Sequence, residues 1–236
     1  MLSADKKEEV LARIRDIANT MAENVTIGSI AEDAQINAAE LRMSNDSLMP
    51  ILRTALVINW KEVAMKTRYK RFRCRYPEIW SLLTLKRVID TTDALTFCKE
   101  YLDINADKAI PEKNPKYALL KELTNGFLEY QSENHLASEI LALRHWSSRV
   151  DICKLKEDPI GRRRGVGPGV VENIRLNLGE SVIKPDRHVI DIMNGHLKLS
   201  EIAPDRYNAF ADFIGLDRRY LDCLLFKYGQ LKGISA

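Results

Sequence analysis

Residues 161–190 read GRRRGVGPGVVENIRLNLGESVIKPDRHVI, and the fold turns on how they are taken. Arg162, Arg163 and Arg164 run into a Gly165-Val166-Gly167 turn. An apolar-periodic helix follows, and then an isolated Pro185-Asp186. Glycines let a backbone approach a ligand closely, a helix start presents free N–H groups, and arginines add positive charge, so the stretch suits a phosphate. It is not a P-loop, because no Gly-Lys-Ser/Thr follows. It is a poor dinucleotide fingerprint, because the third glycine falls at Gly169 and no apolar strand comes before. What comes before is DICKLKEDPIGRRR (151–164), a short polar helix or turn. The expected order is helix over 151–163, hairpin over 164–168 and helix over 169–178, with Pro168 suited to a first helical position. On the turn alone, a glycine-rich helix connection without a ligand fits equally well.

Outward from this stretch nearly every periodic segment reads as helix, and no β-branched alternation of useful length occurs. The chain is expected to be all-α. Val10, Ile14 and Ile17 share one face of a first helix, capped by Ser3 or Asp5. Ser47 can cap a helix from Leu48 or Pro50 into the basic stretch, which Pro77 interrupts. Further helices are expected at 78–90, 92–102, 116–130, 134–147, 187–197, 205–214 and 217–229, with Thr92 and Asp205 as caps. Residues 103–116 form the clearest loop. Residues 26–42 (TIGSIAEDAQINAAELR) have the rhythm of a helix-turn-helix, but Gln35 stands where the turn wants glycine. Two ordinary packed helices fit them better. The expected organisation is N-terminal helices over 1–47, a main domain over 48–232 and a tail over 233–236.

At 236 residues and a net charge of +3 the chain is mildly basic, with a pI of about 8.6. The charge is clustered: residues 61–75 hold seven Lys or Arg and one Glu, and residues 161–175 hold four Arg. Clustered bases bear on nucleic-acid contact more than the total does, although either cluster also reads as a solvated helix face. Cys74, Cys98, Cys153 and Cys223 form no Cys-x-x-Cys pair, which argues against a zinc site, an iron–sulfur cluster or a disulfide framework. The start MLSADKKEEV has no apolar signal region, and no apolar run reaches membrane-spanning length. The expectation is a cytoplasmic, nucleoid-associated protein with no membrane partner.

With the hairpin and Lys184-Pro185-Asp186-Arg187-His188-Val189 together, the chain resembles the helix-hairpin-helix DNA glycosylase superfamily, the group of endonuclease III and 3-methyladenine glycosylases. That family follows its hairpin, about twenty residues later, with an aspartate loop that opens a helix. The resemblance extends through residues 54–88, ending at Tyr76-Pro77, and through LDCLLFKYGQ (221–230). It implies a two-lobed, all-α fold with the active site in the interlobe cleft. It implies Asp186 as the catalytic carboxylate, and Arg162, Arg163, Arg164, Gly165, Val166, Gly167 and Gly169 as DNA-phosphate contacts, with a possible site for a monovalent cation at Gly165 and Gly167. Cleaving an N-glycosidic bond builds positive charge on the sugar, which a carboxylate stabilises. The target base must first leave the stack.

The departures from the family pattern narrow the activity. Members that also nick the strand carry a lysine just after the hairpin, where this chain has Gly169 or Val170. The expectation is therefore a monofunctional glycosylase without lyase activity, acting as a monomer on lesion-containing duplex DNA. No cofactor is expected, since Cys223 alone cannot hold an iron–sulfur cluster. An alkylated purine is the first substrate class, because its cationic base already leaves well. Asn59 and Trp60 stand where the family places its gap-filling residue, and Tyr69 and Trp146 are candidates to stack on a base. For each aromatic, core packing is the competing reading. His135, His145, His188 and His196 show no metal spacing, and His188 is expected to brace the Asp186 loop by a hydrogen bond. The alternative is a non-catalytic helix-hairpin-helix binding or regulatory protein.

Overall fold

The computed structural model describes residues 3–23, 27–57, 62–104 and 114–233. Among them every regular element is helical. The chain divides into two compact units, Ser44–Leu178 and Met1–Met43 with Gly179–Ala236. The N-terminal helices thus share a unit with the C-terminal part of the chain, where the sequence suggested one continuous domain over 48–232.

The Ser44–Leu178 unit is built on α3 (Leu48–Val57), which packs against α4 (Glu62–Arg75), α7 (Pro115–Glu133) and α9 (Pro168–Asn177). Helix α3 is apolar apart from Arg53 and Thr54 and is buried from Leu48 to Leu52, so its own sequence calls for a surrounding shell. The buried Thr54 hydroxyl accepts a hydrogen bond from Asn173 Nδ2 on α9 at 2.9 Å. Helices α5 (Leu82–Thr91), α6 (Ala94–Thr96, continued by a π-turn over Phe97–Tyr101) and α8 (Glu139–Ser147) complete the unit. Glu139 binds three groups: its carboxylate accepts from the Ser47 hydroxyl at 2.6 Å and from the Leu82 and Leu83 amides at 2.7 and 2.9 Å. Ser47 therefore donates rather than caps. Asp46 takes the capping role, accepting from the Leu48 and Met49 amides. Asp93 likewise caps α6 in place of Thr92, because its carboxylate reaches the Thr96 amide.

Lys116 is buried in this unit, with its Nζ donating to the Leu56 carbonyl at 3.3 Å. Burial, reinforced by Arg68, brings its ammonium down to about 8. The folded chain then binds fewer protons than the unfolded chain above that pH, so Lys116 makes stability rise as pH goes from about 8 toward the ordinary lysine value. Lys116→Met should flatten that rise, which is worth up to about 3 kcal/mol. Urea titrations of both proteins between pH 8 and 10 measure the difference, and parallel curves would refute it.

The other unit is organised on α12 (Arg218–Leu231), which packs against α1 (Ala4–Ala22), α2 (Ile27–Met43), α10 (Arg187–Asp191) and α11 (Tyr207–Ile214). Val10, Ile14 and Ile17 of α1 enter a core with Val189, Ile192, Phe210, Leu221 and Leu225. Ser3 caps α1 through the Lys6 amide, as its sequence indicates. Helix α2 runs unbroken through Gln35, so there is no helix-turn-helix and no pair of short helices. No Gly or Pro interrupts it after Gly28, and Ala34 and Ala38 are buried along its length. Gly179, at φ +88°, lets the chain pass the Ala38 carbonyl, where a Cβ would lie 2.6 Å away. Asp205 sits inside a 3-10 turn (Pro204–Arg206) and does not cap α11. Asp217 caps α12 by accepting from the Tyr220 amide at 2.8 Å.

Candidate functional site

The hairpin forms where the sequence indicates, but its first arm is not an α-helix. Ile152–Lys154 is a single 3-10 turn, and turns continue to Gly165. Pro159 has no amide to give, and Asp158 takes the next two: its Oδ1 accepts from Ile160 and Gly161 at 2.9 and 2.6 Å. Gly165 adopts φ +82°, the left-handed conformation that glycine takes without strain. Val166 donates back to the Arg163 carbonyl at 3.1 Å. Gly167 is extended and starts α9, with Pro168 in the first helical position, and a Cβ on Gly167 would meet nothing within 4 Å. The Gly165 and Gly167 amides make no backbone hydrogen bond to another described residue.

The three arginines diverge. Arg162 and Arg164 are exposed and form no ion pair with another described residue. Arg163 folds back across α7, over Gly126, where a Cβ would collide with its Nε. Its guanidinium pairs with Glu129 and, at 3.6 Å, with Glu122. This arginine ties the turn to its own unit, and two arginines are left facing outward.

Asp186, in the other unit, is the N-cap of α10. Its Oδ1 accepts from the Val189 amide at 3.0 Å, and its Oδ2 lies 3.8 Å from Lys184 Nζ. Its side chain is 20% exposed, with one oxygen on the helix start and the other facing Lys184. The Asp186 amide donates to the Lys184 carbonyl at 2.8 Å, closing a three-residue turn around Pro185. His188 does not brace this loop by a hydrogen bond. Its ring is buried, stands edge-on to Phe226 with centroids 5.3 Å apart, and lies against Gly229. Its Nδ1 has no hydrogen-bond partner among the described residues.

The expected stacking aromatics are committed to cores. Trp146 is 1% exposed, edge-on to Phe127, and its indole N–H donates to Asp158. Tyr69 is buried, donates its hydroxyl to Asp46 and carries the Arg53 guanidinium over its ring. Burial and the Asp46 carboxylate push its phenol well above the usual range. Asn59 and Trp60 lie outside the described residues. The sequence reading passed over Trp80, whose indole is 66% exposed beyond the Tyr76-Pro77 turn.

It also passed over Asp222. This residue on α12 accepts the Lys184 amide on Oδ1 at 2.7 Å, and burial together with nearby Asp186 pushes its carboxyl up to about 7. The partner is 38 residues away, so no local pattern marks it. Cys74, Cys98, Cys153 and Cys223 form no disulfide, and among the described residues no three His, Cys, Asp or Glu side chains are placed to hold a metal ion. No helix among the described residues is long and apolar enough to cross a membrane. No protein-family model matches the chain, and neither curated proteins nor solved structures gave a match.

Proposed function

We propose that the chain is a monofunctional DNA glycosylase of the helix-hairpin-helix kind. It would hydrolyse the N-glycosidic bond of a damaged base in duplex DNA, with an alkylated purine as the first substrate class. The observation that carries this reading is Asp186: a part-exposed carboxylate with one oxygen capping a helix and the other beside Lys184, on a loop tied at both flanks. Such a group stabilises the cationic sugar as the base leaves and can orient a water. Arg162 and Arg164, beside a turn with two available amides, support a sequence-independent grip on phosphate. A cationic purine needs little protonation to depart, so a single carboxylate suffices for it.

Two assays test the proposal. A panel of lesion duplexes is incubated with the protein and then treated with alkali, and strand breaks at an alkylated purine are expected. Failure on every lesion leaves a binding protein only. Borohydride trapping is run in parallel. Lys184 stands close to Asp186, yet its ammonium is paired there and no lysine occurs from Gly165 to Ile183, so no covalent adduct is expected. An adduct would overturn the monofunctional assignment. Arg162→Ala with Arg164→Ala should weaken duplex binding and lower the salt slope by about 1 to 2. An unchanged slope would remove both arginines from the interface.

A further inference from the structure

We propose that Asp222 is the positioning residue of the Asp186 loop, holding Lys184-Pro185-Asp186 in place through the Lys184 amide. The catalytic part of this inference rests on the glycosylase reading. The mechanical part stands alone.

Two side chains from the helices of the same unit hold the segment that leads to Asp186. Asn208 on α11 accepts the Ile183 amide at 2.7 Å, and Asp222 on α12 accepts the Lys184 amide at 2.7 Å. The Lys184 carbonyl then accepts from the Asp186 amide, and the Asp186 carboxylate accepts from Val189. A run of hydrogen bonds therefore leads from α12 through the amide and the carbonyl of Lys184 to the N-cap of α10. Pro185 removes the remaining amide and fixes its own φ, so the turn has few other conformations. Of the two side chains that hold this segment, Asp222 is the one able to carry charge. Asn208 holds the Ile183 amide, while Asp222 holds the Ile183–Lys184 peptide, one residue before the carbonyl that binds the Asp186 amide.

The charged groups around Asp222 are Lys184 and Asp186 on the loop and Arg219 on its own helix, and His188 of α10 packs further along α12 at Gly229. Burial and Asp186 raise its carboxyl, whereas the Lys184 amide and the two cations lower it. The hydrogen bond to the amide is stronger when Asp222 is ionised. The clamp therefore tightens as pH rises through neutrality, and it does so beside a carboxylate that works only as an anion. Asp222 makes no claim on the substrate itself.

The experiment is amide hydrogen exchange on the full-length protein, read at Lys184 and Asp186, together with single-turnover excision. Asp222→Ala should speed Lys184 exchange by about tenfold or more, since the amide loses an acceptor that carries charge. Asp222→Asn still offers a side-chain oxygen, so it should stay within about threefold of the native exchange rate. On a duplex that the native protein processes, Asp222→Ala should slow excision at least about tenfold with DNA affinity unchanged. Asp222→Asn should largely restore the rate but lose the native rise between pH 6 and pH 8, a signature that a packing role would not produce. Unchanged Lys184 exchange in Asp222→Ala refutes the clamp, and so does native excision in Asp222→Ala when the loop exchanges faster. If the native protein excises nothing, the glycosylase reading falls, and the exchange rates still decide the clamp.

Discussion

Replacing Asp186 by asparagine should lower abasic-site formation by at least about a hundredfold and leave the fold intact. The two halves of that expectation come from different oxygens of one side chain. Asparagine keeps a side-chain oxygen that can accept from the Val189 amide, the bond that starts α10, and it is as good an N-cap as aspartate. What disappears is the negative charge. A transition state with positive charge spread over a sugar loses its counter-charge, and such losses in preorganised sites run to about 10²–10³ in rate. The ion pair with Lys184, at 3.8 Å and part exposed, contributes little to stability. Melting temperature should stay near the native value, and duplex binding should keep its salt dependence, because Arg162 and Arg164 are untouched. Single-turnover excision with alkaline cleavage of the product reads the rate. A rate within about threefold of native would remove Asp186 from the chemistry.

The features that local pattern could reveal were legible. The Ser3 cap and the Val10, Ile14, Ile17 face of α1 obey a period of 3.6, and the Gly165-Val166-Gly167-Pro168 run holds its turn, its left-handed glycine and its helix start within four residues. What failed depended on partners distant in sequence or on competition among neighbours. Asp46, Ser47, Thr92 and Asp93 are all reasonable caps by composition, and only geometry selects Asp46 and Asp93. Arg163 reads like its two neighbours until Gly126 and Glu129, on another helix, take it inward. Asp222 is the one acid of α12, and nothing near it in sequence shows its partner until α12 docks against the loop carrying Lys184. The region 151–163 misled for a local reason: its polar, proline-containing run suits either a short helix or a string of turns, and Asp158 decides for turns by bonding its own downstream amides.

Trp146→Ala should destabilise the Ser44–Leu178 unit by about 3–5 kcal/mol, the largest loss of stability expected from any side chain named above. The indole is almost wholly enclosed and meets Phe127 edge to face at 5.1 Å, so truncation opens a cavity that the surrounding helices cannot fill by small shifts. It also removes the N–H that bonds Asp158 at 3.0 Å. Asp158 keeps the Ile160 and Gly161 amides, but the turn leading to Arg162 loses its tie to α8. Trp146→Phe separates the two contributions. It retains most of the apolar bulk and lacks the donor, so it should cost less, about 1–3 kcal/mol, and loosen residues 158–161 in particular. Urea unfolding measures the totals, and amide exchange at Ile160 and Gly161 locates the loosening. A base-stacking tryptophan gives the opposite pattern, with little change in stability and a loss of affinity for duplexes carrying a flipped base. That outcome would restore Trp146 to the pocket. The enclosed geometry, with the indole N–H already bonded to Asp158, points the other way.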